Sequence, residues 1–211
     1  MARVNKYEIW QAAPGGWSLY ASKKIGPKGL LIAVDLLQLD YSTASLLKND
    51  SKLSKFHTVC GDFCNLKVQE KIVELLDTHN FGADCIISDM AANFTGDKMT
   101  DALRTMSLCE DVLKFAAGRH CFETGNELRL ISDVDKYTWK DIGLLRVGGS
   151  ILCKFFACGQ EMEKDLLNAS KEYFSFSIIL KPPASRKESS ELYLFASGYK
   201  GNLILLAQMG R

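Results

Sequence analysis

The chain has 211 residues, of which 47% are hydrophobic and 24% charged, values that exclude a disordered, collagenous or low-complexity polymer and suit a single folded domain. Its 26 Lys and Arg against 25 Asp and Glu leave a formal net charge of +1, so no overall polycation advertises nucleic acid and any basic site must be local. No apolar run approaches the roughly 18 residues of a membrane span, and the start lacks the apolar core of a secretory signal, so a soluble chain without a membrane partner is expected.

In chain order, Ala12-Ala-Pro-Gly-Gly-Trp-Ser18 reads as a loop between a first strand and a helix over Trp17–Ile25. Its glycines let the backbone turn tightly or approach a ligand closely. It is neither Gly-x-Gly-x-x-Gly nor a phosphate-binding P-loop, so a plain turn and a cofactor loop both stay open. Leu30–Asp35 is a short apolar run that ends in a carboxylate. His57–Cys60 is a second such run, followed by Gly61-Asp-Phe63. Leu66–His79 carries Val68, Ile72, Leu75 and Leu76 on one helical face, and Cys85–Asp89 is again apolar with a terminal carboxylate.

Met99–Ala117 reads as a long helix. The polar stretch from about 118 to 142 lacks clear periodicity and is expected on the surface. Ser150–Phe156 is a buried strand with Lys154 embedded in it, where a lysine must snorkel, pair with a carboxylate or work in a site. A helix over Met162–Tyr173 follows. Phe174–Leu180 and Glu191–Ala196 then form a late antiparallel pair around the Pro- and Ser-rich loop Lys181–Ser190. The alternation predicts an α/β fold with a parallel sheet, helices on both faces and right-handed crossovers. The seven cysteines are odd in number, lie mostly in apolar runs and form no Cys-x-x-Cys pair, so free thiols in a reducing compartment are expected and no metal site. Asn93-Phe-Thr and Asn168-Ala-Ser fit the glycosylation pattern by chance.

Ligands of such sheets bind beyond the carboxyl ends of the strands, where strand order reverses. Asp35 is placed to accept hydrogen bonds from a ribose diol, or to cap a helix. Asp62 could reach an adenine amino group while Phe63 covers the ring, or be an ordinary loop aspartate. Asp89 and Lys154 could form a buried ion pair, and Glu191 a strand-edge cap.

Together these motifs resemble the FtsJ/RrmJ family of S-adenosylmethionine-dependent RNA ribose 2′-O-methyltransferases. The resemblance rests on Ala13-Pro-Gly-Gly-Trp-Ser18, Asp35-Leu-Leu, Gly61-Asp-Phe63, Ser88-Asp-Met-Ala91 with Asn93 and Gly96, Gly148-Gly-Ser-Ile-Leu-Cys-Lys154, and Lys181-Pro with Ala184-Ser-Arg and Glu191. It implies a Rossmann-like methyltransferase fold: a mostly parallel seven-stranded sheet with a late antiparallel strand. It also implies an S-adenosylmethionine site of Gly15, Gly16, Trp17, Asp35, Asp62 and Phe63, with Asp89 at its boundary with RNA. Asp89, Lys154 and Glu191 match three members of the family's Lys-Asp-Lys-Glu catalytic set, with Lys154 as general base. RNA contact falls to Lys181, Arg186 and Lys187.

Three departures accompany the match. The family's first lysine has no counterpart, Gln11 stands where the family has glycine, and Ala92 where it has proline. The lost lysine normally favours the neutral form of the second, so slow or absent turnover is expected. A weakly catalytic, rRNA-binding assembly factor is the alternative. The expectation is thus one methyltransferase domain over residues 1–211, shortened at its start and with a surface insertion at about 118–142, both reflecting an alternative or incomplete gene model. Ala184–Tyr193 resembles the mitochondrial large-subunit rRNA methyltransferase branch. That implies a mitochondrial location, with cytoplasm or nucleolus as alternatives; an rRNA partner follows from the family resemblance, and a monomer is expected.

Overall fold

The computed structural model describes residues 6–10, 15–25, 29–49, 55–77, 82–118, 143–183, 185–186 and 188–201. Two compact units divide the chain, Met1–Met90 and Ala91–Arg211.

The first unit holds β1 (Lys6–Trp10), α1 (Gly16–Ile25), β2 (Leu30–Asp35), α2 (Tyr41–Lys48), β3 (Lys55–Cys60), α3 (Leu66–Asp77) and β4 (Ala83–Ser88). Its strands are all parallel, in the order β3-β2-β1-β4. Strand β2 lies inside this ladder, and Leu30, Leu31, Ile32, Ala33 and Val34 are all buried. That is why it reads as an unbroken apolar run rather than an alternation. Burying each large aliphatic side chain contributes about 1.5–3 kcal/mol. Ala21, Ile25, Leu31, Ala33 and Leu47 form one core cluster, against which Trp17, Leu19, Leu39, Phe56 and Ile87 pack. Helix α3 buries Ile72 and Leu76 completely, as its sequence periodicity predicts.

Helix α2 escapes that periodicity, because Tyr41-Ser-Thr-Ala-Ser-Leu-Leu-Lys48 has few apolar residues. It starts where Asp40 accepts hydrogen bonds from the Ser42 and Thr43 backbone N–H groups, an N-cap that satisfies two otherwise orphaned donors. Thr43 and Leu47 are its buried residues.

The second unit holds α4 (Lys98–Ala117), β5 (Leu145–Phe156), α5 (Gln160–Tyr173), β6 (Phe174–Leu180) and β7 (Glu191–Tyr199). Here β7 runs antiparallel to both β5 and β6. The expected parallel ladders are those of the first unit, and the expected late antiparallel strand is β7 in the second. Strand β5 also begins earlier than expected and runs through Gly148, whose φ is +84°. The pair Gly148-Gly149 lies inside the strand. On β5 and β7, Ile151, Cys153, Phe155, Leu194 and Ala196 are buried, while the alternate residues Leu152, Lys154, Phe156, Tyr193 and Phe195 are half-buried.

Helix α4 ends at Gly118, whose N–H donates to the Lys114 carbonyl at 2.8 Å. Gly143 meets it there. A Cβ on Gly143 would come within 2.5 Å of the Ala116 oxygen and the Gly118 nitrogen, and Leu144 N–H donates to the Phe115 and Ala116 carbonyls. The two ends of the stretch expected as an insertion thus lie side by side. Residues 119–142 themselves lie outside the described residues. Among the described residues no helix is long and apolar enough to cross a membrane.

Candidate functional site

In the first unit, parallel register sets Trp10 level with Val34 and with Ser88, and Asp35 level with Cys60. The Gly15–Trp17 loop, Asp35, Asp62 and Asp89 therefore leave the sheet from one edge, the carboxyl ends of β1, β2, β3 and β4. Strand order reverses beside β1, which places this edge at the switch point where open α/β sheets bind ligands.

Each residue of this edge has a local reason for its place. Gly15 has a φ of +127°, and a Cβ there would run into the Thr43 side chain, so only glycine fits between the loop and α2. Its carbonyl accepts the Leu19 N–H at 2.9 Å, opening α1. Gly16 is exposed, with open space around its Cα. The first-turn N–H groups of such a helix lack intrahelical acceptors and suit a polar ligand. Trp17 is half-buried against the core cluster, which holds the loop down.

Asp35 accepts the Leu37 N–H at 2.8 Å, and its carbonyl accepts the Gly61 N–H at 2.8 Å. Asp62 accepts the Cys64 N–H at 2.9 Å. The loops carrying the two carboxylates are thus joined by a direct backbone bond. Phe63 is only 4% exposed, so the expectation that it covers an adenine ring is corrected: burial leaves almost no ring surface for a ligand. Asp89 follows the buried Ser88 and is half-buried. Gln11 and Pro14 lie outside the described residues.

In the second unit, register places Lys154 opposite Tyr193 and Phe156 opposite Glu191. Lys154, Phe156, Glu191 and Tyr193 thus share the ladder face that turns away from Ile151, Cys153 and Phe155. Lys154 and Glu191 are diagonal neighbours there, about 7–8 Å apart by sheet geometry. The Phe156 N–H donates to Thr105 Oγ1 of α4 at 3.0 Å, and Ala157 N–H to the Ser190 carbonyl at 2.8 Å, pinning the ends of both strands.

The loop between β6 and β7 is closed by Lys181, whose Nζ donates to the Ser189 carbonyl at 2.7 Å. Arg186 is exposed, and it lines a cleft of about 680 Å³ together with Pro182, Ser189, Glu191 and Tyr193. A cation expected to meet RNA and a carboxylate expected in the catalytic set therefore border one space. Lys187 lies outside the described residues.

The sequence reading missed a clamp before α4. Asp101 accepts from the Thr95 N–H and hydroxyl, both at 2.8 Å, and from the Gly96 N–H at 3.3 Å. Asp97 caps the helix through the Thr100 N–H at 2.8 Å. The Thr95 backbone bond above all, with the other donors and Arg104, holds the Asp101 carboxyl below its ordinary value of 3.8. A carboxyl depressed in the folded state stabilises fully above its unfolded value and loses that contribution as pH falls through the native one. Asp101→Asn is therefore expected to melt a few degrees lower than the unmodified chain at pH 7, with the gap closing below about pH 4. Melting curves across pH check this; a gap that stays constant into acid would disprove it.

Comparison with known proteins fits this architecture. The family model described as FtsJ-like methyltransferase matches residues 11–199, through both units. The chain is 33% identical over 193 residues to Ribosomal RNA large subunit methyltransferase E of Nitrobacter hamburgensis, covering 90% of this chain and 67% of that protein. It is 35% identical over 190 residues to the protein of the same name from Zymomonas mobilis, covering 90% and 66%. The chain thus spans about two thirds of the length of these relatives. A solved structure of a Plasmodium falciparum protein described as a ribosomal RNA methyltransferase superposes with a TM-score of 0.64 at 18% identity, covering 95% of this chain and 90% of that one. At that identity the likeness concerns the fold, which is Rossmann-like. With the glycine loop and strand-end carboxylates in place, the chain belongs to the FtsJ-like methyltransferase family, whose members use S-adenosylmethionine.

Proposed function

We propose that this chain transfers a methyl group from S-adenosylmethionine to a ribose 2′-hydroxyl of RNA, within the large-subunit rRNA. The observation that carries the reading is the family match over residues 11–199, supported by relatives named for large-subunit rRNA methylation. The first unit suits the cofactor: Gly15 and Gly16 leave space at the start of α1, and the linked loops after β2 and β3 present Asp35 and Asp62. In this reading Asp35 accepts from the ribose diol, and Asp62 from the adenine amino group.

When bound, the cofactor supplies a methyl already activated on a sulfonium, so the protein needs no covalent chemistry of its own. Lys154 takes the 2′-hydroxyl proton at Nζ. The ribose oxygen, relieved of that proton, would be the nucleophile toward the methyl that the cofactor supplies. In this reading Glu191 accepts hydrogen bonds on the same ladder face as Lys154, and Asp89 lies at the edge of the cofactor. Holding the reactants in line can supply about 7–11 kcal/mol of the barrier. Arg186 pairs with phosphate, a contact that is salt-dependent and carries no sequence information. Lys181, tied to the loop by Ser189, serves more as a strap. A mitochondrial location, from the sequence likeness of Ala184–Tyr193 to that branch, and a monomeric state are part of the same proposal.

Rising 2′-O-methyl nucleosides in the digest of ribosomal RNA incubated with the chain and cofactor are the expected result. Base-methylated nucleosides, or no methylation by a folded chain that binds the cofactor, would overturn the reading.

A further inference from the structure

Phe94 is 70% exposed, yet it is not held loosely. Its ring centroid lies 5.5 Å from that of Phe156, with an interplanar angle of 30°. Phe156 is fixed in turn by the bond from its N–H to Thr105 Oγ1. On the other side, the next residue, Thr95, is clamped through its N–H and hydroxyl by Asp101. An aromatic ring is thus presented to solvent from a preorganised backbone. Such a ring costs little further ordering when it meets a ligand.

Its place gives it a use. Phe156 stands directly opposite Glu191 and two residues from Lys154 on one ladder face. Tyr193, opposite Lys154, joins Glu191 and Arg186 around the cleft. A largely exposed ring, packed on Phe156 of the face that carries Lys154 and Glu191, matches the chemistry that recognises unstacked nucleotides, whose bases stack on aromatic rings.

We propose that Phe94 is a positioning residue, a platform on which a nucleobase of single-stranded RNA stacks so that a ribose is presented to the Lys154–Glu191 face. This rests on the RNA reading above and adds to it a specific contact. The stack is sequence-tolerant, because every base has a π-face.

The test uses the full chain and a short single-stranded RNA carrying 2-aminopurine, whose fluorescence falls on stacking. Binding by the unmodified chain is expected to quench the probe. Phe94→Ala should weaken RNA binding about 5- to 100-fold, with cofactor affinity and melting temperature unchanged. Phe94→Trp should bind and quench as well as the unmodified chain. Phe94→Leu, apolar but without a π-face, should resemble the alanine variant. RNA affinity unchanged in Phe94→Ala would overturn the platform while leaving the RNA reading intact, and so would full affinity in Phe94→Leu, which would mark a plain apolar contact. An unmodified chain that binds no RNA would overturn both.

Discussion

Lys154→Ala is expected to lower methyl transfer to RNA by about 100- to 10,000-fold, the usual worth of a positioned general base, while cofactor affinity and melting temperature hold. The register separates these outcomes. Lys154 lies on the half-buried face of β5, and the core residues Ile151, Cys153 and Phe155 point the other way. Truncation therefore removes the amine without opening a core cavity. Lys154→Arg should be as inactive as alanine, because a guanidinium stays protonated and cannot take the hydroxyl proton. Initial rates of labelled methyl transfer check both variants, and activity near that of the unmodified chain would remove Lys154 from the mechanism.

Asp35→Ala is expected to weaken S-adenosylmethionine binding about 10- to 100-fold in titration calorimetry, the effect of losing hydrogen bonds to a charged acceptor. The same side chain accepts the Leu37 N–H, so alanine also loosens the turn after β2. Asp35→Asn separates the two roles. An asparagine carbonyl oxygen can keep the turn bond, but it lacks the charge and the second acceptor oxygen of a carboxylate. It should bind cofactor nearly as poorly as alanine while melting like the unmodified chain. Equal cofactor binding by all three would show that Asp35 does not hold the ribose. No binding by the folded, unmodified chain would show that its cofactor site is incomplete.

Much of the fold is legible before any coordinates, for a local reason. Leu30–Val34 is apolar throughout because an inner parallel strand is buried on both faces, and α3 shows its 3.6-residue period because one face is buried. Helix α2 is illegible by period, yet its Asp40 cap is a signal in the sequence. The strand expected from Ser150 starts earlier, at Leu145, because β5 runs through Gly148-Gly149. Phe63 misleads: its neighbour Asp62 turns out to solvent while its ring turns in, and nothing in Gly-Asp-Phe says which way either points.

The sequence by itself determined the family, the strands whose carboxyl ends carry Asp35 and Asp89, and the lysine within an apolar strand. These depend on residues close together in the chain, where period and spacing speak directly. Only the tertiary structure decided that Lys154, Glu191 and Phe156 share one face, that Thr43 of α2 leaves Gly15 no room for a side chain, and that Asp101 fixes the backbone beside Phe94. Strand register and packing join residues far apart in sequence, and a one-residue slip would turn Glu191 to the opposite face.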